Sequence, residues 1–322
     1  MKMGILGAGT IAGKMADTIA GMDNVEAYAV AARDSKRAEE FASKHGFAKA
    51  YGSYEEMAAD DEVDLVYIAT PHSHHYKHAR LSLEAGRNVL CEKAFTVNAR
   101  QARELISLAR EKKLLITEAI WPRYMPSRKM IDDIVESGVI GDITSLTANL
   151  CYEVGNSKRM WDPALAGGAL LDLSVYTINF ARMVLGENVT EISSSAVFKD
   201  GVDMSDSITM IFDGGKMAVL HTNGCAQSDR MGLICGTKGY IQVINMNNPE
   251  MIKVFDRDYK EIASYEPPAQ ITGYEYEVEA CIHAIENNLP ECPEMPHEET
   301  IKVMEIMDSI REAWGYEIPD ME

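Results

Sequence analysis

The chain has 322 residues, 46% hydrophobic and 25% charged, with a net charge of −19. That length suits two domains better than one core, and the acidic balance argues against nucleic acid or an anionic membrane as partner. Residues 1–120 carry 16 Lys and Arg against 17 Asp and Glu, leaving 15 against 33 for the remainder, so a polyanionic cofactor suits the near-neutral part.

Lys2 to Leu6 reads as a buried strand, and a helical pattern (Ile11, Met15, Ile19) starts directly after Gly7-Ala8-Gly9-Thr10-Ile11-Ala12. This is G-x-G-x-x-A between a strand and a helix, the setting of a dinucleotide-binding turn. Gly7 permits a tight turn, Gly9 a close approach to a pyrophosphate, and Ala12 close packing of helix on strand. The helix N-terminus then faces the phosphates. The plainer alternative is a glycine turn in an ordinary βα unit.

Val25 to Ala31 is the second strand, followed by Arg33, Asp34, Ser35, Lys36 and Arg37. An acidic residue here binds the ribose 2′-hydroxyl, whereas Arg accommodates a 2′-phosphate. Asp34 reads as the N-cap of the next helix, which leaves Arg33 and Arg37 and favours NADP, with NAD possible. The alternative is that Lys36 and Arg37 are solvated helix charges.

Ser53 and Glu56 form a capping box before a short helix. Val63 to Ala69 is a strand of the parallel type; it leads into Thr70, Pro71 and His72 and a helix through Ala85. His72, His74, His75 and His78 invite a metal reading, but the other ligands of a zinc motif are missing nearby. No metal is expected, and His72 lines the cleft at a strand's carboxyl end. Asn88 to Cys91 is a strand ending in Glu92-Lys93-Ala94-Phe95. Asn98 caps a helix to Lys112, with Gln101 at the capping-box position, and Leu114 to Thr117 precedes Glu118, Trp121, Arg123 and Tyr124. Strict alternation of strand and helix implies a parallel sheet with right-handed crossovers.

The pattern then changes. Asp142 to Tyr152 alternates as a strand, and Ala169 to Leu185 reads as one helix after Gly167-Gly168. Strand runs follow at 189–198, 206–212, 216–225, 230–235, 239–244, 251–256 and 260–265, with Asp213-Gly214-Gly215 as a hairpin signal. Consecutive strands imply an antiparallel or mixed sheet, closed by helices at about 274–287 and 298–313. The expected division is 1–120 and 121–322. Asp172 and Tyr176 stand i, i+4 and so share a helix face; taken alone, such a pair is ordinary structure.

No apolar run reaches the roughly 18 residues a spanning helix needs, and the chain opens on a strand rather than a leader. The six cysteines form no C-x-x-C, which points to a reducing compartment. The expectation is a soluble, cytoplasmic protein.

Leu90-Cys91-Glu92-Lys93-Ala94 resembles the E-K-P signature of the glucose-fructose oxidoreductase / inositol dehydrogenase (Gfo/Idh/MocA) family. The opening strand Gly4 to Gly9, the turn Ala69-Thr70-Pro71-His72 and the run Gly167 to Tyr176 are similar to further family motifs. Ala31 to Asp34, Ala50 to Glu56 and Glu118 to Trp121 look most like the dimeric dihydrodiol dehydrogenases and NADP-dependent D-xylose 1-dehydrogenases. The resemblance implies an α/β fold: a doubly wound Rossmann domain, then an α/β domain with a large, mostly antiparallel open sheet that builds homodimers or homotetramers. It implies that Lys93 bonds the reacting oxygen, Tyr176 is the general acid/base, and Asp172 orients substrate or Lys93. The candidate cofactor set is Gly7, Gly9, Thr10, Ile11, Ala12, Arg33, Arg37, Thr70, Pro71, His72, His75, Glu92, Lys93, Trp121 and Arg123; Trp121, Trp161 and Tyr176 are the candidate substrate wall.

The chemistry is coherent by itself. Hydride transfer at an alcohol carbon requires a hydroxyl proton to be removed or supplied. A tyrosine of ordinary pKa, about 10, needs a nearby cation to serve near neutrality, and Lys93 is one. Ala94 departs from the family's proline; if the family's bond is cis there, alanine disfavours it by roughly 2.5–4 kcal/mol. The resulting expectation is an NAD(P)-dependent oxidoreductase acting on a sugar, polyol or dihydrodiol. The alternative is a non-catalytic NAD(P)-sensing protein of the same fold.

Overall fold

The computed structural model describes residues 1–154 and 157–318. They form two compact units: Met1–Tyr124 with Gln270–Glu305, and Met125–Ala269 with 306–318. The contiguous stretch expected at 121–322 is thus interrupted. The return segment is tied into the first unit by polar contacts, among them Thr272 Oγ1 to Thr18 Oγ1 (2.6 Å) and His297 Nε2 to the Ile116 carbonyl (2.9 Å).

In the first unit, strands β1 (Lys2–Leu6), β2 (Glu26–Ala31), β3 (Lys49–Tyr51), β4 (Leu65–Ile68), β5 (Asn88–Glu92) and β6 (Ile116–Ala119) alternate with helices α1 (Thr10–Ile19), α2 (Ser35–His45), α3 (Tyr54–Ala58), α4 (His72–Glu84) and α5 (Ala99–Lys112). The sheet runs β3-β2-β1-β4-β5-β6, every pair parallel. This is the doubly wound order, with its switch point between β1 and β4, where ligands bind outside the carboxyl ends of strands. A strand buried on both faces explains the unbroken apolar run of β4. The caps fall where short polar side chains predict them. Asp34, Ser53 and Asn98 accept from the backbone N–H groups of Arg37, Glu56 and Gln101.

The second unit opens with α6 (Pro126–Glu136), which the sequence reading lacks. An eight-stranded sheet follows: β7 (Ile143–Cys151), β8 (Val189–Lys199), β9 (Val202–Phe212), β10 (Lys216–Asn223), β11 (Gly232–Gly236), β12 (Gly239–Ile244), β13 (Met251–Asp256) and β14 (Glu261–Tyr265). Its order is β14-β13-β12-β11-β7-β10-β9-β8, antiparallel except for β7 on β10. Helix α7 (Val175–Leu185) packs on β7 and β10. Its bed is made by Leu146, Ala148, Ala218 and Leu220, all buried. Two helices close the chain: α8 (Glu275–Glu286) in the first unit, and α9 (His297–Trp314), which begins in the first and ends in the second. The fold is α/β as expected.

Contrary to expectation, Pro163–Leu185 is long and apolar enough to pass for a membrane span. Its apolar window is 83% buried inside the fold, which makes it the core helix of the second unit. All six cysteines are free.

Candidate active site

The first unit assembles its candidates along the carboxyl edge of the sheet. Gly7 holds φ +119° and donates its N–H to the Ala31 carbonyl at 2.9 Å. A Cβ on it would lie 2.8 Å from the carbonyl oxygen of Ala69, so only glycine fits between β1 and β4. Gly9 is the N-cap of α1, with extended backbone and no side-chain cap, and a Cβ there would meet nothing within 4 Å. Gly9 and Thr10 are exposed, Ile11 is half-buried and Ala12 is buried. Backbone N–H groups at an uncapped helix start, beside open space, fit a pyrophosphate.

At the end of β2, Asp34 accepts the Arg37 N–H at 2.9 Å, and the Arg37 guanidinium donates to the Ala8 carbonyl at 2.9 Å. Arg33 is exposed, within electrostatic reach of Tyr54 and His74. Burial, then Lys77 and Arg33, hold His74 below its ordinary value. The cap occupies the one acidic side chain at this position and leaves two arginines around it.

The ends of β4 and β5 are tied together. Buried His75 places Nδ1 2.8 Å from the Ala94 carbonyl and Nε2 2.8 Å from the Thr70 carbonyl. His78 bonds the Thr70 hydroxyl at 3.0 Å, and burial, aided by His74 and His75, pushes it down to about 3, so it is neutral. Pro71 caps α4 and His72 is buried at its first position. Lys93 is half-buried, and the Lys93–Ala94 peptide is cis. Its loop is gripped on both sides: the Phe95 N–H donates to Glu118 Oε1 at 3.1 Å, and Glu92 accepts the Tyr67 hydroxyl. Burial pushes Glu118 up to about 7. Past β6, Trp121 stacks on Tyr274 (4.5 Å, 10°), and the buried guanidinium of Arg123 pairs with Glu299 at 2.7 Å.

In the second unit Gly167 lies against the Arg159 and Met160 carbonyls, and Gly168, at φ +113°, lies against Asp203. The expected single helix over Ala169–Leu185 is in fact a π-turn at Leu170–Ser174 followed by α7. Asp172 is buried in the π-turn and accepts from Arg159 Nη2 at 3.0 Å; Tyr176, also buried, stands in the first turn of α7. Trp161 is half-buried beside Gly224, where a Cβ on the glycine would lie 3.1 Å from the indole.

Two acids absent from the sequence reading anchor this helix. Asp203 accepts the Leu170 N–H at 2.6 Å, and Asp206 accepts from the hydroxyls of Ser174 (2.6 Å) and Thr222 (2.9 Å). Burial pushes them up to about 7 and about 6 respectively, with Asp206 adding to the effect on Asp203. A signal existed for Asp206: it shares the inward parity of Ile208, Met210 and Phe212. Among the described residues no three His, Cys, Asp or Glu side chains gather as a metal-ion set.

A doubly wound sheet with an uncapped glycine turn at its switch point is the framework of a dinucleotide-binding protein, and comparison with known proteins specifies which kind. The family described as "Oxidoreductase family, NAD-binding Rossmann fold" matches residues 1–119, and the GFO/IDH/MocA C-terminal domain matches residues 129–242. Trans-1,2-dihydrobenzene-1,2-diol dehydrogenase of Mus musculus is 33% identical over 99% of this chain and 98% of its own length. The Xenopus tropicalis protein of that name is 34% identical over 99% of each. Among solved structures, a 3-ketoreductase from Actinomadura kijaniata in complex with NADP and TDP-benzene superposes with TM-score 0.89, at 23% identity over 97% of each chain. Levoglucosan dehydrogenase in complex with NADH and levoglucosan gives 0.87, at 18% identity over the whole of both chains. These two share the fold.

The chain belongs to the Gfo/Idh/MocA oxidoreductase family. It is an NAD(P)-dependent dehydrogenase acting on CH–OH groups, and the non-catalytic sensing alternative is set aside, because the full-length relatives are dehydrogenases.

Proposed function

We propose that the protein is an NADP-dependent dehydrogenase of a sugar, polyol or cyclic diol, of the D-xylose or trans-dihydrodiol type. The observation that carries this reading is Lys93, held at the carboxyl end of β5 beside the sheet's switch point, in a chain similar over nearly its full length to dihydrodiol dehydrogenases. NADP, when bound, supplies the hydride donor or acceptor. Gly7, Gly9, Thr10, Ile11 and Ala12 take the pyrophosphate, and Arg33 and Arg37 take the 2′-phosphate. Thr70, Pro71, His72, Glu92, Trp121 and Arg123 frame the rest of the cofactor, and His75 sets the turns through its two carbonyl contacts.

On oxidation Tyr176 takes the substrate hydroxyl's proton, and on reduction it returns it. The Lys93 ammonium lowers the cost of the phenolate by opposite charge and hydrogen-bonds the reacting oxygen. Asp172, anchored by Arg159, orients the substrate, while Trp121 and Trp161 supply aromatic walls to sugar or ring C–H surfaces. Exposed Val197, Met217 and Val219 on the second sheet support assembly of homodimers or homotetramers through that face, and six free cysteines support a cytoplasmic setting.

The test is nicotinamide absorbance with D-xylose, other aldoses and trans-1,2-dihydrobenzene-1,2-diol. Lys93→Met and Tyr176→Phe should each lower kcat by about 10²–10⁴-fold, with cofactor affinity kept in Tyr176→Phe. Full activity in both variants would overturn the assignment of roles.

A further inference from the structure

The helix carrying Asp172 and Tyr176 is irregular just where it aims them. Residues Leu170–Ser174 form a π-turn, and regular helix resumes at Val175. Such turns are rare in helices and concentrate at functional sites. The geometry here shows what holds this one. The fully buried Ser174 hydroxyl lies 2.6 Å from Asp206 Oδ2, 2.7 Å from Thr222 Oγ1 and 3.3 Å from the carbonyl of Ala169, five residues back. Thr222 donates to Asp206 Oδ1 at 2.9 Å. Asp206 on β9 therefore joins the helix and β10 through its two oxygens, in a site closed to water. The two hydroxyl protons cannot serve all these contacts at once, and an ionised Asp206 takes both.

We propose that Ser174 and Asp206 are positioning residues for Tyr176: they pin the π-turn and so fix the direction of the tyrosine two residues further on. This rests on the reading of Tyr176 as the acid/base. An apolar contact could fill the same space without fixing the turn's rotation, whereas a two-oxygen grip from a strand does fix it. Asp206 is faced by Asp203 on its own strand, His221 on β10 and Cys151 on β7.

The experiment is steady-state oxidation of trans-1,2-dihydrobenzene-1,2-diol or D-xylose with NADP by the full chain. The variants are Ser174→Ala, Asp206→Asn, Tyr176→Phe and the double variant S174A/Y176F. Thr222→Val, of the same shape, is the reserve should a variant fail to fold. A displacement on the scale of an ångström costs up to about 100-fold. S174A and D206N should accordingly lower kcat by about 10–100-fold, keep KM for NADP within about 2-fold, and move the pH at which kcat is half-maximal. S174A should add less than about 2-fold to the loss in Y176F, because the group it positions is gone. Losses that multiply in the double variant, or a kcat unmoved in S174A and D206N, would overturn the positioning role and leave the acid/base reading intact. Wild-type kcat in Y176F, or no turnover of either substrate, would remove the acid/base reading and this inference with it.

Discussion

Asp203 makes the stability of the second unit depend on pH. Its carboxyl is buried behind Gly168, accepts the Leu170 N–H at 2.6 Å, and is pushed from 3.8 up to about 7, by burial first and by Asp206 second. The folded state therefore binds the proton more tightly than the unfolded chain. A carboxyl raised in this way contributes stability below its unfolded value, and that contribution is lost as pH climbs through the folded value. From about pH 6 to about pH 8.5, Asp203 alone removes about 1.4 kcal/mol, at 1.36 kcal/mol per pKa unit. That corresponds to a fall of about 2–5 °C in Tm. The opposing contribution of His78, depressed to about 3, is still growing at the acid end of this window and levels off above its ordinary value, but both proteins carry it and it cancels in their difference. Asp203→Asn keeps an acceptor for the Leu170 N–H and cannot ionise. Thermal unfolding of both proteins at three pH values across the window should give a flatter curve for D203N by that amount. Glu118 and Asp206, also raised, are present in both proteins and largely cancel in the difference. Parallel curves, or a wild type more stable at the alkaline end, would refute the reasoning.

Replacing Arg33 and Arg37 together by Ala should raise KM for NADP by 10-fold or more and leave that for NAD within about 2-fold, as steady-state kinetics with both cofactors would show; each charge-assisted bond to a phosphate contributes about 1.5–3 kcal/mol. Gly9→Val should keep Tm and lose cofactor affinity in calorimetry, because its Cβ meets no protein atom within 4 Å. Gly7→Ala should instead lower stability by about 1–3 kcal/mol in denaturant titration, since its φ is +119° and the Ala69 carbonyl is in the way. Arg159→Ala removes one anchoring cation from buried Asp172 and should lower kcat/KM about 10-fold or more, with NADP affinity unchanged.

What was legible in the sequence was mostly local. The caps at Asp34, Ser53 and Asn98 bind backbone N–H groups three residues ahead, so spacing alone reveals them. The parallel sense of the first sheet follows from strict alternation of strand and helix, and Lys93 stands out as a candidate because its neighbours form a recognisable signature. The three-residue strand Lys49–Tyr51 is too short for a period to show. The return of 270–305 to the first unit depends on contacts such as Thr18 with Thr272, 254 residues apart. The π-turn is invisible for the same reason. Its run Leu-Leu-Asp-Leu-Ser scans as ordinary helix, and the side chains that hold it lie 32 and 48 residues downstream.

Both candidate catalytic side chains thus stand on segments held by buried acids rather than by apolar packing alone. Glu118 grips the backbone beside Lys93, Asp203 caps the helix of Tyr176, and Asp206 pins its π-turn. Each carboxyl is desolvated at a cost, which is why each is raised toward neutrality. A leucine at 206 would avoid that cost and would leave the buried hydroxyls of Ser174 and Thr222 to each other and to the Ala169 carbonyl. Stability alone therefore does not strongly favour the acid over the apolar residue. Directionality does: apolar burial is indifferent to rotation about a helix axis, and hydride transfer tolerates little of it. The acids are best understood as the elements that convert a stable fold into an aimed one.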